Sequence, residues 1–277
     1  MERHEDGVGV RRRIGREAGL KDYFREYLRV APLSLALWRA AEARAIGVVE
    51  MPRPLLDIGC GFGEFGGAFF DEPADVGLDV SASDIAIART RDCYRELALA
   101  DGRRLPFAEG AFASVLSVSV VEHIDEAERV IPEAFRVLRP GGVFVFTTPA
   151  PEMGALLFYS RLFAALRLRP LATAYGRTVE RIFHHVSLKP LETWRAEVER
   201  AGFRVREARE TIPPRLTTAF DLTLPGALPS QLGRFSKRGR WVWRPPGAVA
   251  LLSRLFGGLV EEEGEPGCNY IVVADKP

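Results

Sequence analysis

The feature that most constrains this chain is Leu55-Leu56-Asp57-Ile58-Gly59-Cys60-Gly61-Phe62-Gly63-Glu64-Phe65-Gly66, an apolar run that ends in closely spaced glycines. Residues 55–58 read as a buried strand and 65–70 as a helix, so the glycines must turn the backbone sharply between them. Lacking side chains, they also let a ligand lie against the main chain. Gly61-x-Gly63-x-x-Gly66 matches the dinucleotide-binding spacing, and Asp79 ends the next strand where a ribose-binding acid belongs. Asp57 stands inside the first strand, two residues before Gly59. A carboxylate there suits a cationic ligand or backbone amides and repels a pyrophosphate.

The alternation continues downstream. Residues 75–80 predict a second strand and 81–91 a helix capped by Ser81 or Ser83. Residues 96–100 and 113–120 predict two more strands and 125–138 a helix. A fifth strand at 143–148 is opened by a turn at Arg139-Pro140-Gly141-Gly142. A helix at 191–201 ends at Gly202 in the C′ position, and strands follow at 203–208 and 270–274. Strands alternating with helices imply a parallel sheet covered on both faces. Ahead of it, Tyr23, Tyr27, Leu28, Leu35, Trp38 and Ala45 recur at three- and four-residue steps, with Pro32 dividing two helices. The expected organisation is a flexible tail at 1–19, a helical lid at 20–50 and one α/β domain at 51–277. Inserts at 149–185 and 211–267 shape its substrate side.

Composition excludes several classes. A chain of 277 residues with 47% hydrophobic and 27% charged side chains is not a disordered tail protein. A net charge of +1 gives no general field for nucleic acid. Three scattered cysteines form neither a disulfide framework nor a metal-ligand spacing, so no metal is expected. The first residues lack a signal-peptide core, and no apolar run reaches the ~20 residues of a membrane span. The expectation is a soluble, cytoplasmic protein. Residues 211–260 nevertheless carry Arg215, Arg234, Lys237, Arg238, Arg240, Arg244 and Arg254 against Asp221 alone, near Trp241 and Trp243. That patch suits an acidic acceptor or peripheral contact with an anionic membrane.

Four ordered stretches resemble the class I S-adenosylmethionine (SAM)-dependent methyltransferases, in particular the type 11, ubiquinone/menaquinone-biosynthesis-like family. They are LLDIGCGFGEFG (55–66), VGLDVSASDIAIAR (76–89), LALADGRRLPFAEGAFASVLSVSVVEHI (97–124) and RVLRPGGVFVFTTP (136–149), about a third of the chain. HHVSLKPLETWRAEVERAGFRV (184–205) resembles the family's later helix and strand. The resemblance implies a Rossmann-like sheet of seven strands, mostly parallel with the last antiparallel. It implies an enzyme that takes SAM and releases S-adenosylhomocysteine (SAH). By the same resemblance Asp57, Gly59 and Gly61 line the methionine side, Asp79 holds the ribose hydroxyls and Val80 packs near adenine. Asp101 accepts from the adenine amino group with Gly102 beside it, and Ser117 lies near the methionine moiety. Tyr23 covers the cofactor if the first helix is a lid. Ala113 departs from the family, which commonly has Asp there.

Methyl transfer from a sulfonium is an in-line displacement that needs alignment and exclusion of water. An oxygen or carbon acceptor also needs a base, and His titrates near neutrality. The candidates are His123, His184 and His185, since His4 falls in the tail. The expected acceptor is a small, hydrophobic or acidic molecule, such as a prenylated quinol, an acidic aromatic or a lipid-linked glycan. Two rival readings stay open. One is an NAD-dependent oxidoreductase, disfavoured by Asp57 and by the absence of a Tyr-x-x-x-Lys set. The other is a SAM-binding protein without catalysis.

Overall fold

A computed structural model describes residues 21–227, 242, 244–262 and 266–277. The apolar runs form strands β1 (Leu55–Ile58), β2 (Ala74–Asp79), β3 (Tyr94–Leu99), β4 (Phe112–Val118), β5 (Leu138–Pro149), β6 (Arg204–Thr211) and β7 (Asn269–Asp275). They pair in one sheet of order β3-β2-β1-β4-β5-β7-β6. β1 to β5 run parallel, and β7 enters antiparallel between β5 and β6. The strand order reverses between β1 and β4. In open α/β sheets ligands bind outside the carboxyl ends of the strands at such a reversal.

The central strands feed a large core on each face of the sheet, and Leu55, Ala74 and Tyr94 join a smaller third cluster. Leu56, Ile58, Val115, Phe144 and Phe146 face α5 (Val130–Val137) and α9 (Leu191–Arg200), where Trp194 is fully buried. Leu116, Val118, Val143, Val145 and Ile271 face the other way, onto α1 (Tyr23–Val30), α2 (Leu33–Gly47), α3 (Glu64–Phe69) and α10 (Pro214–Thr223). Pro32 caps α2, as its position between the helical stretches predicts. α2 is buried on almost every side, from Leu35 and Leu37 to Ala43 and Ile46. With most of its residues buried, α2 packs as part of the core.

Two expected elements are corrected. The helix expected at 125–138 begins only at Val130, after a single 3₁₀ turn at Ala127–Arg129. Pro132 has no N–H to donate back to residue 128, so it fits the first turn of α5 and not the interior of a longer helix. The turn expected at 139–142 is instead the start of β5, whose register against β4 shifts between Phe112 and Ser114. α4 (Ala82–Ala88) starts on Ser81, whose hydroxyl accepts the Asp84 N–H.

The first insert folds as α6 (Met153–Leu156), α7 (Phe158–Ala165) and α8 (Arg169–Ile182). The second contributes α10 and α11 (Ala248–Val260). Residues 1–20 fall outside the described residues, as do Arg234, Lys237, Arg238, Arg240, Trp241 and Trp243. Among the described residues no helix is long and apolar enough to cross a membrane.

Candidate active site at the carboxyl ends of β1, β2 and β4

The glycine loop leaves β1 and is tied at once to β2, because the Gly59 and Cys60 N–H groups both donate to the Leu78 carbonyl, at 2.7 and 2.9 Å. Gly59 has φ +77°, and a Cβ there would stand 2.4 Å from Cγ2 of Val120. Gly61 has φ +52° and opens onto space, since a Cβ there would meet no atom within 4 Å. Its N–H donates to Asp79 Oδ2 at 2.8 Å, while Asp79 Oδ1 accepts the Ser81 N–H at 2.8 Å. Asp79 thus fixes the turn from β2 into α4 with its carboxylate beside the open loop. Each oxygen keeps a lone pair for a further donor. Val80 is 74% exposed, an apolar side chain left uncovered next to that carboxylate.

Asp57 lies behind the loop. It is 2% exposed and accepts the Tyr94 hydroxyl at 2.6 Å. Burial pushes its carboxyl up to about 7, with Asp79 adding to the shift while Tyr94 and Arg39 oppose it. Asp101 is gripped by Arg103, whose Nη2 stands 2.7 Å from Oδ2 and whose backbone N–H donates at 2.9 Å to Oδ1. That fork holds the Asp101 carboxyl below the usual range. Gly102 is buried, and a Cβ would come within 3.1 Å of Ile58. Burial raises both loop thiols, Cys60 and Cys93, so neither is a ready thiolate.

Two of the expected residues lie apart from the opening above Gly61. Ser117 is fully buried inside β4, and its hydroxyl has no hydrogen-bond partner. The strand runs one residue further, and Val120 is the residue that packs against the glycine loop, at Gly59. Tyr23 stacks on Phe69 at the far end of α3, with ring centroids 5.4 Å apart. It lines a cleft of about 390 Å³ with Arg44 and Gly257, away from the loop. α1 reaches the loop's helix through Tyr27 instead, whose hydroxyl donates to the Phe65 carbonyl at 3.3 Å.

A buried charged group was not foreseen. Glu42, on α2, is fully buried and accepts from Arg39 at 2.8 Å, Ser119 at 2.6 Å and Thr147 at 2.8 Å. Glu42 and Glu64 act electrostatically on Arg39, and Arg39 in turn acts on Asp57 and Glu122. Four acids therefore surround one cation at the ends of β1, β4 and β5. No continuous motif announces this, because the acids come from α2, β1, α3 and the loop after β4.

Beyond β4 the expected histidines converge. The His123 and His185 rings stand 5.5 Å apart, and His123 Nδ1 lies 3.1 Å from the His184 carbonyl. His184 is exposed, with φ +57°, and meets the site through its backbone. His185 packs on Phe183, and burial holds its ring down to about 4. Beside them sits Glu122, fully buried, with its carboxyl raised to about 8 by burial while the Thr148 hydroxyl opposes the shift. In the second insert Arg244 donates to the Leu28 and Ala31 carbonyls and so closes the end of α1, which takes it out of any free basic surface.

Comparison with known proteins agrees with this architecture. Residues 56–146 match a family described as a methyltransferase domain. A probable S-adenosylmethionine-dependent methyltransferase of Mycolicibacterium smegmatis is 31% identical over 152 residues, 50% of this chain and 59% of that protein. A demethylmenaquinone methyltransferase of Beutenbergia cavernae is 33% identical over 150 residues, 52% of this chain and 60% of that protein. The matched parts thus span less than two thirds of these relatives. Among solved structures, a SAM-dependent methyltransferase of Thermotoga maritima, described as a possible histamine N-methyltransferase, superposes with TM-score 0.55 at 18% identity. That match covers 88% of this chain and 92% of that one. The cyclase SpnF superposes with TM-score 0.54 at 18% identity, over 90% and 85%. The fold is that of the class I methyltransferases.

Proposed function

Residues 56–146 carry a methyltransferase domain, and from that premise we propose that the chain binds SAM and transfers its methyl group to an oxygen or carbon of a small, hydrophobic or acidic acceptor. The observation that carries the reading is the open glycine loop with Asp79 beside it: a Cβ at Gly61 would meet no atom within 4 Å, and the Asp79 carboxylate stands next to that space. A carboxylate there suits ribose hydroxyls, while Asp57 inside β1 disfavours the pyrophosphate of NAD.

The chain's groups fit such a ligand. Asp79 presents a carboxylate for two ribose hydroxyls beside Gly61, and Val80 offers an uncovered apolar face for a base. Asp101 is able to accept from an adenine amino group, although Arg103 already occupies much of its carboxylate. SAM supplies an electrophilic methyl whose leaving group departs as a neutral thioether. The protein's part is to orient the two reactants and keep water out, and the buried ends of β4 and α2 serve that. His123 and His185 stand together beside Glu122 after β4, and this cluster supports an acceptor site on that side of the loop.

The cyclase of the same fold is a reminder that architecture alone does not fix a reaction. A screen of prenylated quinols, acidic aromatics and lipid-linked glycans with methyl-labelled SAM tests the reading. The expected result is label on one acceptor class. SAH binding without labelling of any acceptor would leave a SAM-binding protein without transferase activity.

A further inference from the structure

Glu122 and His123 follow β4 on a short 3₁₀ turn, Val121–His123, while His185 lies beyond α8 in the first insert. The two segments are pinned together by the main chain, since the Val186 and Ser187 N–H groups donate to the Glu122 carbonyl at 2.8 and 3.0 Å. One ligand atom from each of Glu122, His123 and His185 lies within 4.8 Å of the other two. His123 Nε2 stands 3.8 Å from Glu122 Oε1. Its Nδ1 faces the His184 carbonyl at 3.1 Å, the kind of outer partner that orients a ligating imidazole. Two further polar groups in this cluster lack partners. Both carboxylate oxygens of Glu122 and the Nδ1 of His185 are buried without a hydrogen bond. A buried carboxylate with no donor is costly, and a cation is what relieves it.

We infer that Glu122, His123 and His185 bind a divalent transition-metal ion on the acceptor side of the glycine loop. Two imidazoles and one carboxylate suit Zn²⁺, Co²⁺ or Ni²⁺ better than Mg²⁺, which prefers oxygen donors alone. Donors about 2.1 Å from a tetrahedral ion stand roughly 3.4 Å apart, so small side-chain rotations close the site. Neither the cysteine pattern nor the sequence spacing exposes this trio, because folding brings His185 to the pair.

Three protein ligands leave a coordination position open. Resting on the methyltransferase reading, that position takes an acceptor hydroxyl oxygen and lowers its pKa. The proton goes to solvent, the oxygen–methyl bond forms as the sulfur–methyl bond breaks, and neutral SAH leaves. The acceptor class is then an alcohol or phenol.

The test uses tag-free full-length protein stripped with a chelator, titrated with Zn²⁺ by calorimetry and with Co²⁺ by visible absorption. SAH affinity is measured alongside. One ion per chain is expected, with Mg²⁺ unable to displace it. His123→Ala, His185→Ala and Glu122→Gln should each weaken Zn²⁺ by more than about 100-fold, beyond the usual effect of an outer partner, while SAH affinity is kept. If Glu122→Gln fails to fold, the two histidine variants decide. Absence of stoichiometric binding, or wild-type affinity in the histidine variants, overturns the site. SAH binding without metal sinks this inference alone, and metal binding without SAH sinks the methyltransferase reading alone.

Discussion

The carboxylate of Asp79 accepts the backbone N–H of Gly61 at 2.8 Å, so the acid at the end of β2 holds the loop that leaves β1. The same group has a free face toward the opening above Gly61. Loop shape and ligand polarity are therefore coupled through one side chain, and the consequences can be separated by mutation.

Gly59→Ala and Gly61→Ala should fail differently. Both place a side chain at positive φ, which costs about 1–2 kcal/mol. Only at residue 59 does the new methyl also meet Val120, at 2.4 Å, which adds roughly 1–3 kcal/mol of overpacking. Gly59→Ala should lower the melting temperature clearly more than Gly61→Ala, whereas Gly61→Ala should mainly weaken SAH. Equal melting temperatures would mean that Val120 does not confine the loop.

Glu42→Ala should be among the most destabilising single changes. It leaves Arg39, Ser119 and Thr147 without their shared acceptor. Breaking a buried ion pair costs about 3–5 kcal/mol, and the partial exposure of Arg39, 27%, argues for the lower end. Urea unfolding measures it. A loss under about 1 kcal/mol would show that the network contributes little.

Asp57 predicts a pH dependence of stability. Its carboxyl rises from 3.8 to about 7 in the fold, so the folded chain holds that proton more tightly than the unfolded one. The resulting stabilisation is complete below pH 3.8 and is lost as pH climbs to about 7. Within that window Asp57→Asn should remove a slope of up to about 1.4 kcal/mol per pH unit. Denaturation of both proteins at pH 5, 6 and 7 checks this. Parallel profiles would place the titration elsewhere.

Truncation before Arg53 should prevent folding, a stronger outcome than loss of a lid. α2 supplies Leu37, Ala40 and Ile46, each fully buried, as well as Glu42. Circular dichroism of the truncated chain should show lost cooperativity. A soluble, cooperatively melting product would return α1 and α2 to the role of a cover.

What the sequence reveals follows from range. The glycine loop, Asp79 and the Ser81 cap lie in one continuous stretch, and each of their bonds spans 18 residues or fewer. The Glu42 contacts span 77 and 105 residues, and His123 meets His184 across 61. No local periodicity encodes those meetings. The aromatic steps of Tyr23 to Trp38 do reveal helices, but an amphipathic pattern says little about how many sides become buried. α2 therefore resembled a lid, although it lies in the core. Pro132 alone could have shortened the helix expected at 125–138.

The most direct measurement is a calorimetric titration of SAH into wild-type and Asp79→Ala protein, with NADH as the competing ligand. Hydrogen bonds to a charged acceptor contribute roughly 1.5–3 kcal/mol. The prediction is SAH binding to the wild type, a loss of at least about tenfold in the folded variant, and no binding of NADH. Unchanged SAH affinity in folded Asp79→Ala protein, or tighter binding of NADH than of SAH, would contradict the assignment of this loop to SAM.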